Sequence, residues 1–125
     1  MSPSDDTSAR TGQLEELRER LRAFAAARDW DQFHSPKNLA MALAAEAGEL
    51  LEVFQWLTEE QSLRLAPEAQ AAASEEIADV LLYLVRLADR LGIDPFEAAR
   101  AKLAKNDAKY PVEKARGHAR KYTKL

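Results

Sequence analysis

The amino-acid sequence predicts an all-α fold, and its composition carries most of that prediction. The chain has 125 residues, a length that suits one compact domain with its own core. It contains 24 alanines and 17 leucines, both strong helix formers, but only ten of the β-branched residues that pack sheets well. Glycines number 4 and prolines 5. Few residues therefore interrupt helices, and few favour strands.

Two helices are predicted in the first half of the chain. The first covers residues 13–28, where leucines and Phe24 recur at helical spacing. Ser35 and Pro36 then form the signature of a helix start, a capping side chain followed by proline at the first helical position. The apolar stripe that follows predicts a helix to about Leu57.

Two further helices are predicted after a polar connector over residues 58–66. The third helix covers residues 67–91, beginning with a proline and ending before Gly92, which suits a helix stop. Its apolar stripe consists of Ala73, Ile77, Val80, Leu84, Leu87 and Leu91. The fourth begins with a capping signature at Asp94 and runs to about residue 110. We expect residues 1–12 to form a disordered tail, residues 13–111 one helical domain, and residues 112–125 an irregular basic segment.

Charge and composition exclude several classes of protein. The absence of cysteine removes disulfide frameworks, thiol nucleophiles and cysteine-bound metals. No stretch has the apolar length of a signal peptide or membrane span, so we expect a cytoplasmic protein with no membrane partner. The net charge of −3 combines an acidic body with a basic region after residue 100. Because most of the fold would repel phosphate backbones, we do not expect a nucleic-acid partner.

Four carboxylates fall on two predicted helices at positions that helix geometry can bring together. Glu46 interrupts the apolar stripe of the second helix, and Glu49 follows three residues later on the same side. Glu76 and Asp79 form a similar pair on the third helix, with Tyr83 continuing the row. Four negative charges in a partly dry site repel one another unless a cation compensates. Oxygen ligands without cysteine or histidine suit Mg²⁺, with Mn²⁺ as the alternative.

Other interpretations of these carboxylates follow from the same spacing. Glutamates three residues apart are commonly solvated or salt-bridged surface groups. A di-iron bundle needs Glu-x-x-His on two helices, and neither His34 nor His118 follows a glutamate by three residues, which excludes it. Gly48 costs about 1 kcal/mol relative to alanine inside a helix, which suggests close approach of another helix or of a ligand.

The two acidic pairs resemble the signature of a known family. Glu46-Ala-Gly-Glu49 followed by Glu76-Ile-Ala-Asp79 is similar to the Glu-x-x-Glu and Glu-x-x-Asp motifs of the MazG-like all-α nucleoside triphosphate pyrophosphohydrolases. Within this family the chain looks most like the dCTP pyrophosphatase branch, over residues 14–125. Four stretches support the resemblance: residues 24–38, residues 54–56 (Phe-Gln-Trp), residues 79–84 and residues 121–123 (Lys-Tyr-Thr).

This resemblance implies a four-helix bundle that assembles as a homo-oligomer, a dimer or a tetramer. It implies Mg²⁺-dependent hydrolysis of nucleoside triphosphates, dCTP and modified pyrimidine analogues, to the monophosphate and pyrophosphate. By position, it implies metal ligands at Glu46, Glu49, Glu76 and Asp79, with Glu49 acting on the attacking water. It further implies substrate contacts at Trp30, His34, Trp56, Tyr83, Lys102, Asn106 and Lys109.

Alternatives remain open within this interpretation. Leu21 stands where members of that branch can carry a histidine, so another nucleotide such as dUTP is an alternative substrate. On spacing alone, Trp56 fits ordinary core, and Lys102 and Lys109 fit solvated surface. A non-catalytic helical scaffold, whose acidic cluster pairs with the basic C-terminal region, is the alternative from another class of protein.

Overall fold

The computed structural model describes the backbone of residues 3–124 and the side chains of residues 12–124. All regular structure in this part of the chain is helical, with no strand, which confirms the all-α prediction. The elements are α1 (Pro3–Ala27), a 3-10 helix (Asp31–Phe33), α2 (Pro36–Phe54), α3 (Glu59–Ser62), α4 (Pro67–Arg90), α5 (Pro95–Lys109), α6 (Val112–Ala115) and a second 3-10 helix (Tyr122–Lys124).

The first helix begins earlier than the sequence predicts. α1 starts at Pro3 rather than at residue 13, so residues 3–12 of the predicted tail belong to the helix. The first two residues of the predicted tail lie outside the described residues. Proline is well suited to a first helical position because its missing N–H needs no partner there. Each further residue then adds one hydrogen bond to an existing helix, which favours continuation.

Capping side chains confirm the predicted starts of α2 and α5. The Ser35 hydroxyl accepts a hydrogen bond from the backbone N–H of Asn38 at 3.2 Å. The Asp94 carboxylate accepts from the backbone N–H groups of Phe96 at 2.9 Å and Glu97 at 3.1 Å. These acceptors satisfy donors that have no partner within the first turn of a helix.

The predicted connector over residues 58–66 contains the short helix α3. A capping box of Thr58 and Gln61 begins this helix. The Thr58 hydroxyl accepts from the backbone N–H of Gln61 at 3.1 Å, and the Gln61 side-chain oxygen accepts from the backbone N–H of Thr58 at 2.9 Å. α2 ends at Phe54, three residues before the predicted limit, and α4 begins at Pro67 as predicted.

A glycine in the left-handed conformation follows α4. Gly92 has a φ of +68°, a left-handed value that glycine adopts without the steric cost of a Cβ. One compact unit ends at Gly92 and a second begins at Ile93. This boundary precedes α5 and differs from the predicted single domain over residues 13–111. The second unit also contains α6, a short helix in the segment predicted to be irregular. Tyr110 is the C-terminal cap of α5, and Pro111 is the N-terminal cap of α6.

In the first unit, α4 packs against both α2 and α1. The buried side chains include Leu14 of α1, Leu39 of α2, and Ala73 and Val85 of α4. Arg86 of α4 is 5% exposed, which makes it the only charged residue fully buried among the described side chains. Burial of a guanidinium requires compensating partners, and these lie at the candidate site.

One apolar face of α4 stays exposed in the single chain. Ile77, Leu84 and Leu91 belong to the predicted core stripe, yet each keeps between 42% and 55% of its surface exposed. The fully buried apolar residues of α4 are Ala73, Val85 and Ala88, and the small side chains of Ala73 and Ala88 lie close to the direction of this stripe. The stripe prediction is therefore only partly correct, because the small alanines near this face are buried while its larger side chains stay about half exposed in the single chain.

Candidate active site

Three of the four predicted metal ligands come together between α2 and α4. Glu46 and Glu49 lie three residues apart on α2, and Glu76 faces them from α4. One carboxylate oxygen from each lies within 4.8 Å of the others. Glu46 and Glu76 are partly buried, whereas Glu49 is exposed. Asp79, one turn further along α4, lies outside this group of three but acts on it electrostatically.

Burial and mutual repulsion keep part of this cluster protonated in the absence of a cation. Desolvation, followed by the hydrogen bond and charge of Glu49, raises the pKa of Glu46 from its ordinary 4.5 to about 7. Desolvation also raises the pKa of Glu76, and the charges of Glu49 and Asp79 add to that effect. The cluster therefore has more negative charge than its surroundings stabilise.

Two orphaned oxygen atoms show that a cation would fit the cluster. Within the described residues, Oε2 of Glu46 and Oε2 of Glu76 are buried and make no hydrogen bond. A buried polar atom without a partner costs free energy. The atoms available as metal ligands are carboxylate oxygens alone, which Mg²⁺ and Mn²⁺ prefer. A divalent cation held by Glu46, Glu49 and Glu76 would satisfy the orphaned atoms and offset the repulsion.

A cavity of about 240 Å³ opens between α1 and α4 in the first unit. Its walls are mainly apolar and aromatic, with Asp79, Tyr83 and Arg86 contributed by α4. Asp79 follows Glu76 by three residues on α4, which makes the two side chains neighbours on the helix surface, so the cavity adjoins the carboxylate cluster at this residue. The lining residues are Leu21, Phe24, His34, Asp79, Leu82, Tyr83 and Arg86.

Arg86 organises the polar end of this cavity. Its Nε donates to Nδ1 of His34 at 3.2 Å, and its Nη2 donates to Oδ1 of Asp31 at 2.7 Å. Arg90 adds a hydrogen bond from Nε to the carbonyl oxygen of His34 at 3.1 Å. Burial, followed by the charge of Arg86, lowers the pKa of His34 below its ordinary value of 6.5. The imidazole is therefore neutral at pH 7.

The two predicted tryptophans occupy different environments. The Trp30 ring lies edge-to-face with Phe24 at 5.6 Å between centroids and with His34 at 6.3 Å. This contact puts Trp30 beside the cavity. Trp56 follows the end of α2 and is 87% exposed, so its interpretation as ordinary core is wrong for the single chain. Such an exposed aromatic face is available for a ligand or for another subunit.

The three remaining predicted residues lie on α5, in the second unit. Lys102 is exposed, whereas Asn106 and Lys109 are partly buried. The Lys109 ammonium lies 4.9 Å from the centroid of the Tyr122 ring, and that ring lies edge-to-face with Tyr110 at 6.1 Å. Lys109 thus has an aromatic contact within the second unit, whereas Lys102 is exposed.

Sequence reasoning missed Arg86 and Asp31, which form the buried polar end of the cavity. A signal for Arg86 exists in the row of α4 that holds Asp79 and Tyr83, because Arg86 follows them by seven and three residues on the same face. For Asp31 there was no such signal, since its partner lies 55 positions away in the chain.

Comparisons with known proteins agree with this geometry. A family model described as the MazG-like family matches residues 41–125. The chain is 47% identical over 114 residues to dCTP pyrophosphatase 1 of Bos taurus, covering 90% of this chain and 68% of the relative. The Homo sapiens protein of the same name is 46% identical over 114 residues, with 90% and 67% covered. A crystal structure of a pyrophosphatase from Archaeoglobus fulgidus has 43% identity and a TM-score of 0.75, covering 79% of this chain and 93% of its own.

The fold is all-helical and carries an acidic cluster, and the relatives are pyrophosphatases. Together these findings define a hydrolytic enzyme of the nucleoside triphosphate pyrophosphohydrolase class. The chain belongs to the MazG-like family. The resemblance drawn from the two acidic motifs is thereby confirmed. None of the described helices combines the length and apolar character needed to cross a membrane.

Proposed function

We propose that this enzyme hydrolyses dCTP and modified pyrimidine deoxynucleoside triphosphates to the monophosphate and pyrophosphate, and so cleanses the cytoplasmic nucleotide pool. The position of Asp79 is the observation that carries the proposal. Asp79 lines the cavity and is a neighbour of Glu76 on the surface of α4, three residues further along the helix. A base in the cavity would therefore have its phosphates directed toward the carboxylates. The similarity to dCTP pyrophosphatases supports the choice of base.

Glu46, Glu49, Glu76 and Asp79 would hold Mg²⁺, or Mn²⁺ in its place. When bound, the cation neutralises phosphate oxygens and promotes attack by water. Glu49 is the exposed member of the cluster and carries the role of base. It accepts a proton as the water oxygen bonds to the α-phosphorus. The bond from that phosphorus to the bridging oxygen breaks, and pyrophosphate leaves with the electron pair.

The remaining predicted residues hold the nucleotide. Trp30 and Trp56 offer aromatic faces on which a pyrimidine ring stacks, while His34 and Tyr83 offer polar atoms at the cavity. We assign Lys102, Asn106 and Lys109 of α5 to the phosphates and sugar, because two of them are cationic and the third carries an amide. The backbone carbonyl oxygen of Asn106 also accepts a hydrogen bond from the backbone N–H of Tyr110, which fixes the end of α5.

We further propose that the enzyme works as a homo-oligomer, a dimer or a tetramer. The open face of α4, with Ile77, Leu81 and Leu84 each at least 42% exposed, supports this proposal. Such an apolar face is unusual on a monomer and typical of a subunit contact. Trp56 and Met41 on α2 add further exposed apolar surface.

A substrate panel tests the proposed reaction. Purified protein is incubated with Mg²⁺ and each common nucleoside triphosphate, together with 5-methyl-dCTP, and the products are resolved by chromatography. We expect monophosphate and pyrophosphate, with dCTP and its analogues used fastest. Release of orthophosphate would refute the reaction, and faster use of dUTP would refute the assigned base. A non-catalytic scaffold would show no turnover and no rise in melting temperature with Mg²⁺ and nucleotide.

A further inference from the structure

The hydrogen bond between Arg86 and His34 determines where the imidazole carries its proton. A guanidinium has only donors and stays charged at any pH a folded protein tolerates. Its Nε lies 3.2 Å from Nδ1 of His34, so Nδ1 must be the acceptor and carries no hydrogen. The ring is therefore neutral with its proton on Nε2.

The surroundings of Arg86 keep this donor in place. Its Nη2 is bonded to Asp31 at 2.7 Å, and its Nη1 lies 3.8 Å from Oδ2 of Asp89. With 5% of the residue exposed, few other conformations are open to the side chain. Arg86 is thus a buried side chain positioned by two carboxylates, unlike an arginine on the surface.

The surroundings of His34 lower its pKa, with one exception. Burial has the largest effect, and the charges of Arg86 and Arg90 lower the pKa further. The charge of Asp31 raises it, but by less than burial lowers it. Asp79 and Tyr83 share the cavity wall with the imidazole. Within residues 12–124, Nε2 of His34 makes no hydrogen bond. His34 lines the cavity together with the apolar side chains of Leu21, Phe24 and Leu82, and its ring brings one uncommitted N–H donor to this wall.

We propose that Arg86 is a positioning residue that fixes His34 as a neutral Nε2–H donor, and that this donor binds an acceptor atom on the substrate's pyrimidine ring. The inference rests on the proposed function, because it names the atoms of that substrate that the cavity recognises. Cytosine offers two neighbouring acceptors, its ring nitrogen N3 and its carbonyl oxygen O2. Uracil and thymine carry a hydrogen on N3, which would oppose a donor at that position. A donor facing N3 thus favours cytosine, whereas an imidazole with free tautomers would not discriminate.

Nitrogen-15 NMR of histidine-labelled, nucleotide-free protein tests the first half of this proposal. The chain has only two histidines, so the variant His118→Gln assigns both sets of signals. At pH 7 we expect His34 to show a protonated Nε2 and an unprotonated, hydrogen-bonded Nδ1. A protonated Nδ1 or an imidazolium would overturn the proposal. This measurement needs no catalytic activity and no variant at Arg86.

Two substitutions of Arg86 separate positioning from simple structural support. Lysine also has only donors, so Arg86→Lys retains the Nε2–H tautomer if its ammonium reaches Nδ1. Arg86→Met has no donor, and we expect mixed tautomers. The KM for dCTP should rise about 2- to 12-fold in the methionine variant, the range for loss of one neutral hydrogen bond, with a smaller change in kcat. Circular dichroism confirms folding of both variants.

His34 itself provides a matched pair. The amide of glutamine extends to about the position of Nε2, whereas that of asparagine ends near Nδ1, so His34→Gln should retain more affinity for dCTP than His34→Asn. Equal affinity of the two variants, or an unmixed Nε2–H tautomer in Arg86→Met, would overturn the proposal. Absence of any nucleotide hydrolysis by the native protein would refute the proposed function and the base contact together, while NMR alone decides the tautomer.

Discussion

Arg22 on α1 binds Asp89 on α4 through two parallel hydrogen bonds, from Nε to Oδ2 at 2.8 Å and from Nη2 to Oδ1 at 2.5 Å. The Asp89 side chain is 11% exposed and the Arg22 side chain 51%, so the carboxylate is shielded from solvent and the guanidinium is not. Asp89→Asn retains the shape but loses the charge and one acceptor. We expect the free energy of unfolding to fall by about 1 kcal/mol, a value discounted for the exposed arginine. Urea denaturation at pH 7 measures it.

The pH dependence of this pair has a definite sign. The hydrogen bonds and charge of Arg22 lower the pKa of Asp89 below its ordinary 3.8. The stabilisation is therefore complete above 3.8 and is lost as pH falls through the lower value of the folded state. Glu97→Gln, which breaks the exposed ion pair with Arg100, is the control and should cost less than about 0.5 kcal/mol. Equal losses in both variants would contradict the bidentate pair's larger contribution.

The carboxylate cluster has the opposite pH dependence. Glu46 has a pKa of about 7 when folded and 4.5 ordinarily, so the folded state holds an extra proton between these values. Its contribution is complete below 4.5 and is lost as pH rises through about 7. In cation-free protein, the melting temperature should therefore fall more steeply over this window in the native chain than in Glu46→Gln.

Mg²⁺ should reverse that loss, because a bound cation stabilises the ionised carboxylates. We expect Mg²⁺ to raise the melting temperature more at pH 8 than at pH 5. His34 has a lowered pKa and gives a slope of the opposite sign below 6.5, but this slope is common to the native chain and Glu46→Gln and cancels in their difference. An Mg²⁺ shift that is the same at both pH values would contradict the cluster as a cation site.

The parts of the fold and site that sequence predicts well depend on residues close in the chain. Ser35 and Asp94 cap helices through partners two or three residues away. Glu46 and Glu49 share a face because helix geometry fixes their spacing. The pairing of these acids with Glu76 required one further assumption, that the two helices face each other, and the resemblance to a family supplied it.

The parts that sequence missed depend on distant contacts or on alternatives of similar energy. Arg86 meets His34 across 52 positions, and no local pattern encodes that contact. The apolar stripe of α4 does not show how far neighbouring helices cover each of its side chains, and Ile77, which belongs to the stripe, is 55% exposed. The extension of α1 to Pro3 reflects cooperative helix growth, which single-residue signals do not report.

Glu49 is the proposed base and can be separated from its neighbours by substitution. Glu49→Gln keeps the size of the side chain and removes its ability to accept a proton. We expect kcat for dCTP to fall at least about 100-fold, with the melting temperature unchanged or raised by reduced repulsion. Glu52→Gln removes an exposed carboxylate one turn further along α2 and should leave kcat within twofold. Retained activity in Glu49→Gln would remove Glu49 from that role.

Leu81 lies on the open apolar face of α4 and tests the proposed assembly. Leu81→Asp introduces a charge where a second subunit would bury the side chain, so we expect sedimentation velocity to show a smaller species at equal concentration. Ala72→Asp adds the same charge nine residues away, on the opposite side of the helix, and should leave the assembly intact. Identical sedimentation of the native chain and Leu81→Asp would exclude this face as a subunit contact.

Gly48 separates the cluster residues Glu46 and Glu49, and the chain itself gives no reason for a glycine there. A Cβ at this position would meet no heavy atom within 4 Å among the described residues, so the expected close approach of another helix is wrong for the single chain. Gly48→Ala should raise the free energy of unfolding by about 0.5 to 1 kcal/mol, because alanine restricts the unfolded chain and suits a helix interior.

The same substitution should slow hydrolysis, because the space beside two cluster glutamates is where a phosphate or a neighbouring subunit would approach. Gly12→Ala is the control, since Gly12 also lies inside a helix and would also meet nothing within 4 Å. It should raise stability by a similar amount and leave kcat and KM for dCTP unchanged. If Gly48→Ala gains stability and keeps full activity, neither substrate nor subunit approaches Gly48, and the glycine has no role in the site.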